Sequence, residues 1–216
     1  MPRPADQPRS PVTPDDLDEI VALAVAALGE VPEAAWDGRA GTLEWDCWET
    51  VEHIADDLFA YAAQLGPRKP PLTSYVPFEA ERRHSGGPAN TIRADKAAGV
   101  AGLLQVLESC GGLMSAIARS VPAQARGFHP DGVSDAEGFT AMSIVETAVH
   151  MHDLATGLGL RWQPPAGPCA RVLARLFPGA PSDTDPWDTL LWATGRGELP
   201  GRPRLTQWRW YGEPQG

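Results

Sequence analysis

The stretch GFTAMSIVETAVHMHDLATGLGL, residues 138–160, constrains this chain more than any other. Projected at about 100° per residue, Ile144, Val145, Ala148, Val149, Met151, Leu154 and Ala155 cover most of a helix circumference. A helix apolar nearly all round belongs inside a protein. Yet Glu146, His150 and Asp153 fall on one strip of it, together with Phe139, Ser143 and Gly157. Burying an isolated carboxylate is costly unless it is paired or bound to a metal. Glu146 and His150 are four apart, so their Cβ atoms stand about 5–6 Å from each other on one face. A carboxylate oxygen and an imidazole nitrogen at that separation can reach one ion.

Around this helix the sequence predicts others. Thr13, Pro14, Asp15 and Asp16 form an N-terminal signal for a first helix ending near Gly29. A second helix is expected from Asp46 or Trp48, with Val51, Ile54, Ala55, Leu58, Phe59, Ala62 and Leu65 at helical spacing, and Gly66 and Pro67 ending it. Residues 67–92 are Pro-rich and aperiodic, which reads as a long loop with the character of a lid or binding loop. A third helix spans about 95–120, with a kink expected at Gly111–Gly112. The fourth opens on SDAE, read as a capping box with Ser134 as N-cap and Glu137 reaching back. Two shorter helices are expected near 169–177 and 185–194, then an extended tail carrying tryptophans. The pattern predicts an all-α four-helix bundle with extra short C-terminal helices over residues 13–216, and a disordered tail over 1–12.

Charge narrows the partners. The chain of 216 residues carries 28 acidic and 18 basic side chains, a formal charge of −10. A chain this acidic repels phosphate backbones and anionic membranes, so nucleic acid and membrane are not expected as partners. No apolar run is expected to reach the roughly 18 residues of a membrane span. Cys47, Cys110 and Cys169 are odd in number and far apart, which fits a reducing cytoplasm and not a disulfide framework. The first residues lack the apolar core of a signal peptide.

A third metal ligand must come from another helix. His53 falls on the polar side of the second helix and is not explained as core. Two His and one Glu with an open position is a ligand set of catalytic zinc sites. Asp57, four after His53, and Asp153, three after His150, are spaced to orient the imidazoles from behind, though Asp57 suits a solvated helix face equally well and Asp153 a cap on a neighbouring element. Arg126 and His129, in the loop before the fourth helix, are candidates to face a substrate, and Trp45 and Trp48 to line a pocket. His152 projects about 200° from His150 and reads as packing. His84, beside Arg82 and Arg83, suits an exposed loop or an anion site. A Glu–His pair at i, i+4 is also a common surface hydrogen bond, and His53 alone also suits a solvated face; spacing does not separate these readings. There is no P-loop, GxGxxG, GxSxG or HExxH.

The segments WDCWETVEHIADDL and GFTAMSIVETAVHMHDLATGLGL resemble the two metal-ligand helices of the DinB-like, mycothiol-dependent maleylpyruvate isomerase N-terminal family. PWDTLLWATGR resembles sequence in actinobacterial members, and the likeness spans roughly residues 13–212. The resemblance implies a DinB-type bundle with a divalent metal on His53, Glu146 and His150, zinc being the first candidate and nickel and iron the others. It also implies mycothiol as a thiol cosubstrate acting on a small electrophile by S-transfer or isomerisation. Isomerases of the family carry a further C-terminal domain that supplies an arginine. This chain is expected to be too short for it, so maleylpyruvate isomerisation itself is not expected. The alternatives are a metal-dependent hydrolase, with Asp57 or Asp153 as base, and a non-catalytic metal-binding stress-response module. A monomer or homodimer in the cytoplasm is expected.

Overall fold

The computed structural model describes residues 9–214. Its helices are α1 (Pro14–Gly29), α2 (Cys47–Leu65), α3 (Gly99–Ser120), α4 (Ala136–Leu158), α5 (Ala166–Leu176) and α6 (Pro186–Ala193). Strands β1 (Glu81–Arg82) and β2 (Ala89–Asn90) form a two-residue antiparallel hairpin inside the long loop, where the sequence gives no strand signal.

The first four helices make the bundle. α1 and α2 each pack against both α3 and α4. Leu17, Ile20, Ala24 and Leu28 of α1 meet Leu103, Leu107 and Met114 of α3 and the buried Val51, Ile54, Leu58 and Leu65 of α2 in one core. Each such side chain removed from water contributes about 1.5–3 kcal/mol. α4 is enclosed on nearly every side, as its composition requires.

The caps follow local chemistry. Thr13 accepts from the Asp16 amide and Asp16 reaches back to the Thr13 amide; Asp46 and Glu49 do the same for α2. At α4 the expected capping box gives way to a different arrangement. Asp135 is the N-cap and accepts from Gly138 N at 2.8 Å. Ser134 Oγ instead donates to Gly212 O at 2.6 Å, and Glu137 receives the Arg9 guanidinium and the Val12 amide. Tertiary partners outcompete the local box.

Those contacts also correct the N-terminal expectation where it can be followed. Residues 9–12 lie against α4, with Val12 only 4% exposed; residues 1–8 lie outside the described residues. α3 runs through Gly111 and Gly112 as one helix, and Gly111 lies against Val21 of α1, where a side chain would crowd. Lys96–Ser120 is long and apolar enough, with mean hydropathy 1.5, to meet the length and composition of a membrane span, contrary to expectation. In this structure it packs against α1 and α2.

The C-terminal third closes one end of the bundle. α5 packs on α4, and α6 on α5. Among its described residues the tail after α6 forms no strand but is tied down, Tyr211 N donating to Leu176 O and Gly212 N to Asp131 O. Fully buried Arg175 bonds Asp135 and the Gly212 carbonyl, both at 3.0 Å, joining the tail to the start of α4.

Candidate metal centre between α2 and α4

His53 leaves α2 and Glu146 and His150 leave α4 where the two helices face each other. One donor atom from each lies within 4.8 Å of the other two. His150 Nε2 stands 3.3 Å from Glu146 Oε2. Tetrahedral binding at about 2.0–2.1 Å from an ion needs donors about 3.3 Å apart, so this pair already has the required spacing. The His53 and His150 rings meet edge to face, with centroids 5.2 Å apart.

The His150 imidazole is oriented from behind. His150 Nδ1 faces Asp153 Oδ2 at 3.2 Å, which turns Nε2 toward Glu146. Asp153 is gripped in turn by Arg196, whose Nη2 is 2.8 Å and Nε 3.1 Å from the same oxygen. Sequence reasoning missed Arg196: it lies just past α6, and nothing in its spacing points to α4. His53 Nε2 is 3.3 Å from Asp57 Oδ2. Its Nδ1 is buried with no hydrogen-bond partner among the described residues.

The electrostatics suit cation binding. Burial, followed by the neighbouring His150 charge, lowers His53 to about 4, so this imidazole is neutral at physiological pH. Burial also acts to lower His150, but the bonds to Asp153 and Glu146 outweigh it and raise the pKa above 6.5. Burial acts to raise Glu146, yet the two histidines and Arg196 bring it below the usual carboxylate value. Burial, with Glu146 and Asp56 close by, holds Asp57 well above its ordinary value. Two neutral-capable nitrogens and an ionised carboxylate are a donor set that a borderline divalent ion accepts. The His53 and Asp57 side chains are each 21% exposed, which leaves a mouth to solvent.

Trp45 walls that mouth, its ring 4.6 Å from His53 and 5.9 Å from His150. Trp48 does not join it. Its Nε1 donates to Glu52 at 3.0 Å and its ring packs in the core under Lys96. Arg126 is likewise elsewhere. It donates to the Ala123 and Ala125 carbonyls and lines a hollow with Leu65, Arg68 and Lys69 at the far end of α2. The loop chemistry that suggested a substrate contact is spent on its own backbone. His129 is buried among Tyr61, Phe139 and Trp210, its Nδ1 accepting from Asp131 N at 3.1 Å. It is not among the clustered donors. His152 packs on Trp187, as its projection implies.

The 67–92 loop lies along α2. Arg83 pairs with Glu52 at 2.6 Å and His84 Nε2 with Glu49 at 2.8 Å, while Trp45 Nε1 donates to Gly86 O at 2.9 Å. These side chains therefore hold the loop to the bundle through buried carboxylates of α2, and are not left as an open anion site.

The arrangement of helices is an all-α, DinB-like fold. Among solved structures it is similar to the crystal structure of a mycothiol-dependent maleylpyruvate isomerase, with a TM-score of 0.53 and 15% identity, over 93% of this chain and 98% of that one. A histidine-to-alanine variant of such an isomerase matches with a TM-score of 0.52 and 16% identity, over the same shares. At this identity the likeness establishes the fold. No protein-family model matches the sequence, and no curated protein does. Because the chain spans 98% of the isomerase chain, its length gives no ground for setting isomerisation aside, contrary to the expectation from sequence.

Proposed function

We propose that this protein is a metal-dependent enzyme that uses a low-molecular-weight thiol, of which mycothiol is the first candidate, to transform a small electrophile by isomerisation or S-transfer. The observation that carries the reading is the convergence of His53, Glu146 and His150 from two helices at a mouth open to solvent. The similarity to mycothiol-dependent isomerase structures supports the choice of thiol.

In this reading His53, Glu146 and His150 hold a divalent ion, zinc in the first place. Such an ion supplies a Lewis-acid centre that lowers the pKa of a thiol or water bound to it. The surrounding residues divide the remaining work. Asp153, fixed by Arg196, holds the His150 ring at Nδ1. Asp57, whose Oδ2 lies 3.3 Å from His53 Nε2, is the carboxyl that in its ionised form takes up the thiol proton and returns it. Trp45 covers the two imidazoles and limits water around them.

Cobalt-substituted protein tests the reading. Added mycothiol is expected to change the visible spectrum through sulfur ligation. A spectrum insensitive to thiol, with turnover of an ester or amide panel in its absence, would replace this reading with that of a hydrolase. Absence of both, with no metal retained, would leave a non-catalytic bundle.

A further inference from the structure

The hairpin inside the long loop delivers one side chain to the cluster. β2 packs on α2, and Asn90 at its end is only 3% exposed. The residues after it are pinned, Thr91 N and Ile92 N donating to Asp56 Oδ1 at 2.8 and 2.6 Å and Ala94 N to Glu52 at 3.1 Å. Asn90 therefore arrives on a strap fixed to three carboxylates of α2, namely Glu49, Glu52 and Asp56.

Two buried atoms remain there without a hydrogen-bond partner among the described residues, His53 Nδ1 and Asn90 Oδ1. The Asn90 side chain raises the His53 pKa, as an acceptor near the ring does, against the burial that lowers it. A buried polar atom left unpaired is costly, and each of these supplies what the other lacks.

We infer that Asn90 is a positioning residue for His53, its Oδ1 accepting the Nδ1 proton so that Nε2 is the nitrogen presented to a metal ion. The consequence for metal binding rests on the proposed function; the pairing itself does not. When Nε2 is a ligand it carries no proton, so Nδ1 must carry one, and a buried N–H needs an acceptor. His150 has the same arrangement, with Asp153 at Nδ1 and Nε2 toward Glu146. The competing partner is Asp57 at 3.3 Å, which favours a proton on Nε2 when ionised. Asn90 and Asp57 thus act on opposite nitrogens of one ring.

Nitrogen-15 NMR of the histidine rings, together with zinc affinity from chelator competition, tests this on the full chain. Wild type is expected to carry its His53 proton on Nδ1, both without zinc and with it. Asn90→Ala is expected to lose the protected Nδ1 proton and to bind zinc about 10–100-fold more weakly. Asn90→Asp, which keeps an acceptor, is expected to restore the Nδ1 proton. A wild-type His53 protonated at Nε2 overturns the pairing whether or not any variant folds. Equal zinc affinity and unchanged ring signals in Asn90→Ala overturn it too, while leaving the metal site standing. No zinc uptake by wild type, with an Nδ1 proton that Asn90→Ala removes, removes the proposed function and keeps the pairing.

Discussion

Asp153 joins two parts of the chain that sequence order keeps apart. One of its oxygens lies 3.2 Å from His150 Nδ1 and 2.8 Å from Arg196 Nη2. Both partners are nearly enclosed, the Asp153 side chain 7% and the Arg196 side chain 15% exposed. Asp153→Ala leaves Arg196 without its carboxylate, a loss of about 3–5 kcal/mol for a broken buried pair. It also frees the His150 ring, which is expected to weaken zinc binding about 10–100-fold. Denaturant melts and chelator competition measure the two effects separately. An unchanged zinc affinity in a folded Asp153→Ala protein would show that His150 does not depend on this carboxylate.

Removing a ligand is a harsher change than removing its support. His53→Ala, Glu146→Gln and His150→Ala are each expected to lower zinc affinity by more than the 10–100-fold typical of an outer residue. Metal analysis of each purified protein beside wild type reads this directly. Equal metal content in wild type and His53→Ala would remove α2 from the site.

Metal uptake should depend on pH through His150 and not through His53. His150 titrates above 6.5, and His53 at about 4. Binding needs both imidazoles neutral. Zinc affinity is therefore expected to rise about tenfold per pH unit between about 4 and the His150 pKa, where one proton is displaced, and to level off above it. Below about 4 two protons are displaced and the dependence steepens. Asp153→Asn removes a group that raises the His150 pKa, so the plateau is expected to begin at lower pH. Calorimetry in buffers of different ionisation enthalpy counts the protons released. A count of two near neutrality contradicts a depressed His53.

Gly157 is a position on the His150 helix where bulk alone is expected to damage the site. A Cβ there would drive into the Arg39 carbonyl and crowd the Ala40–Gly41 backbone. That loop leads to Trp45 and the Asp46 cap of α2. Gly157→Ala is expected to cost about 1–3 kcal/mol from overpacking and to displace Trp45 from the two histidines, seen as a change in tryptophan fluorescence. An unshifted melt would mean the loop yields freely.

Much of this molecule was legible before any coordinates. α1 begins at the Thr13–Pro14 signal, α2 ends where Gly66 and Pro67 require, and α4 is buried as its uniform apolarity implies. The α4 strip yielded Glu146, His150 and Asp153 because helix geometry is periodic and local. The hairpin at 81–90 escaped because two-residue strands have no period to detect. The Ser134 box was misread because Gly212, far along the chain, takes the serine hydroxyl.

By itself the sequence determined which residues share a helix face, since that follows from 3.6 residues per turn. Only the tertiary structure decided which faces meet: His53 against His150, Arg196 on Asp153, Asn90 beside His53, and Arg126 away from them all. Those meetings depend on the packing of a whole core and on where loops are pinned, and no local spacing encodes them.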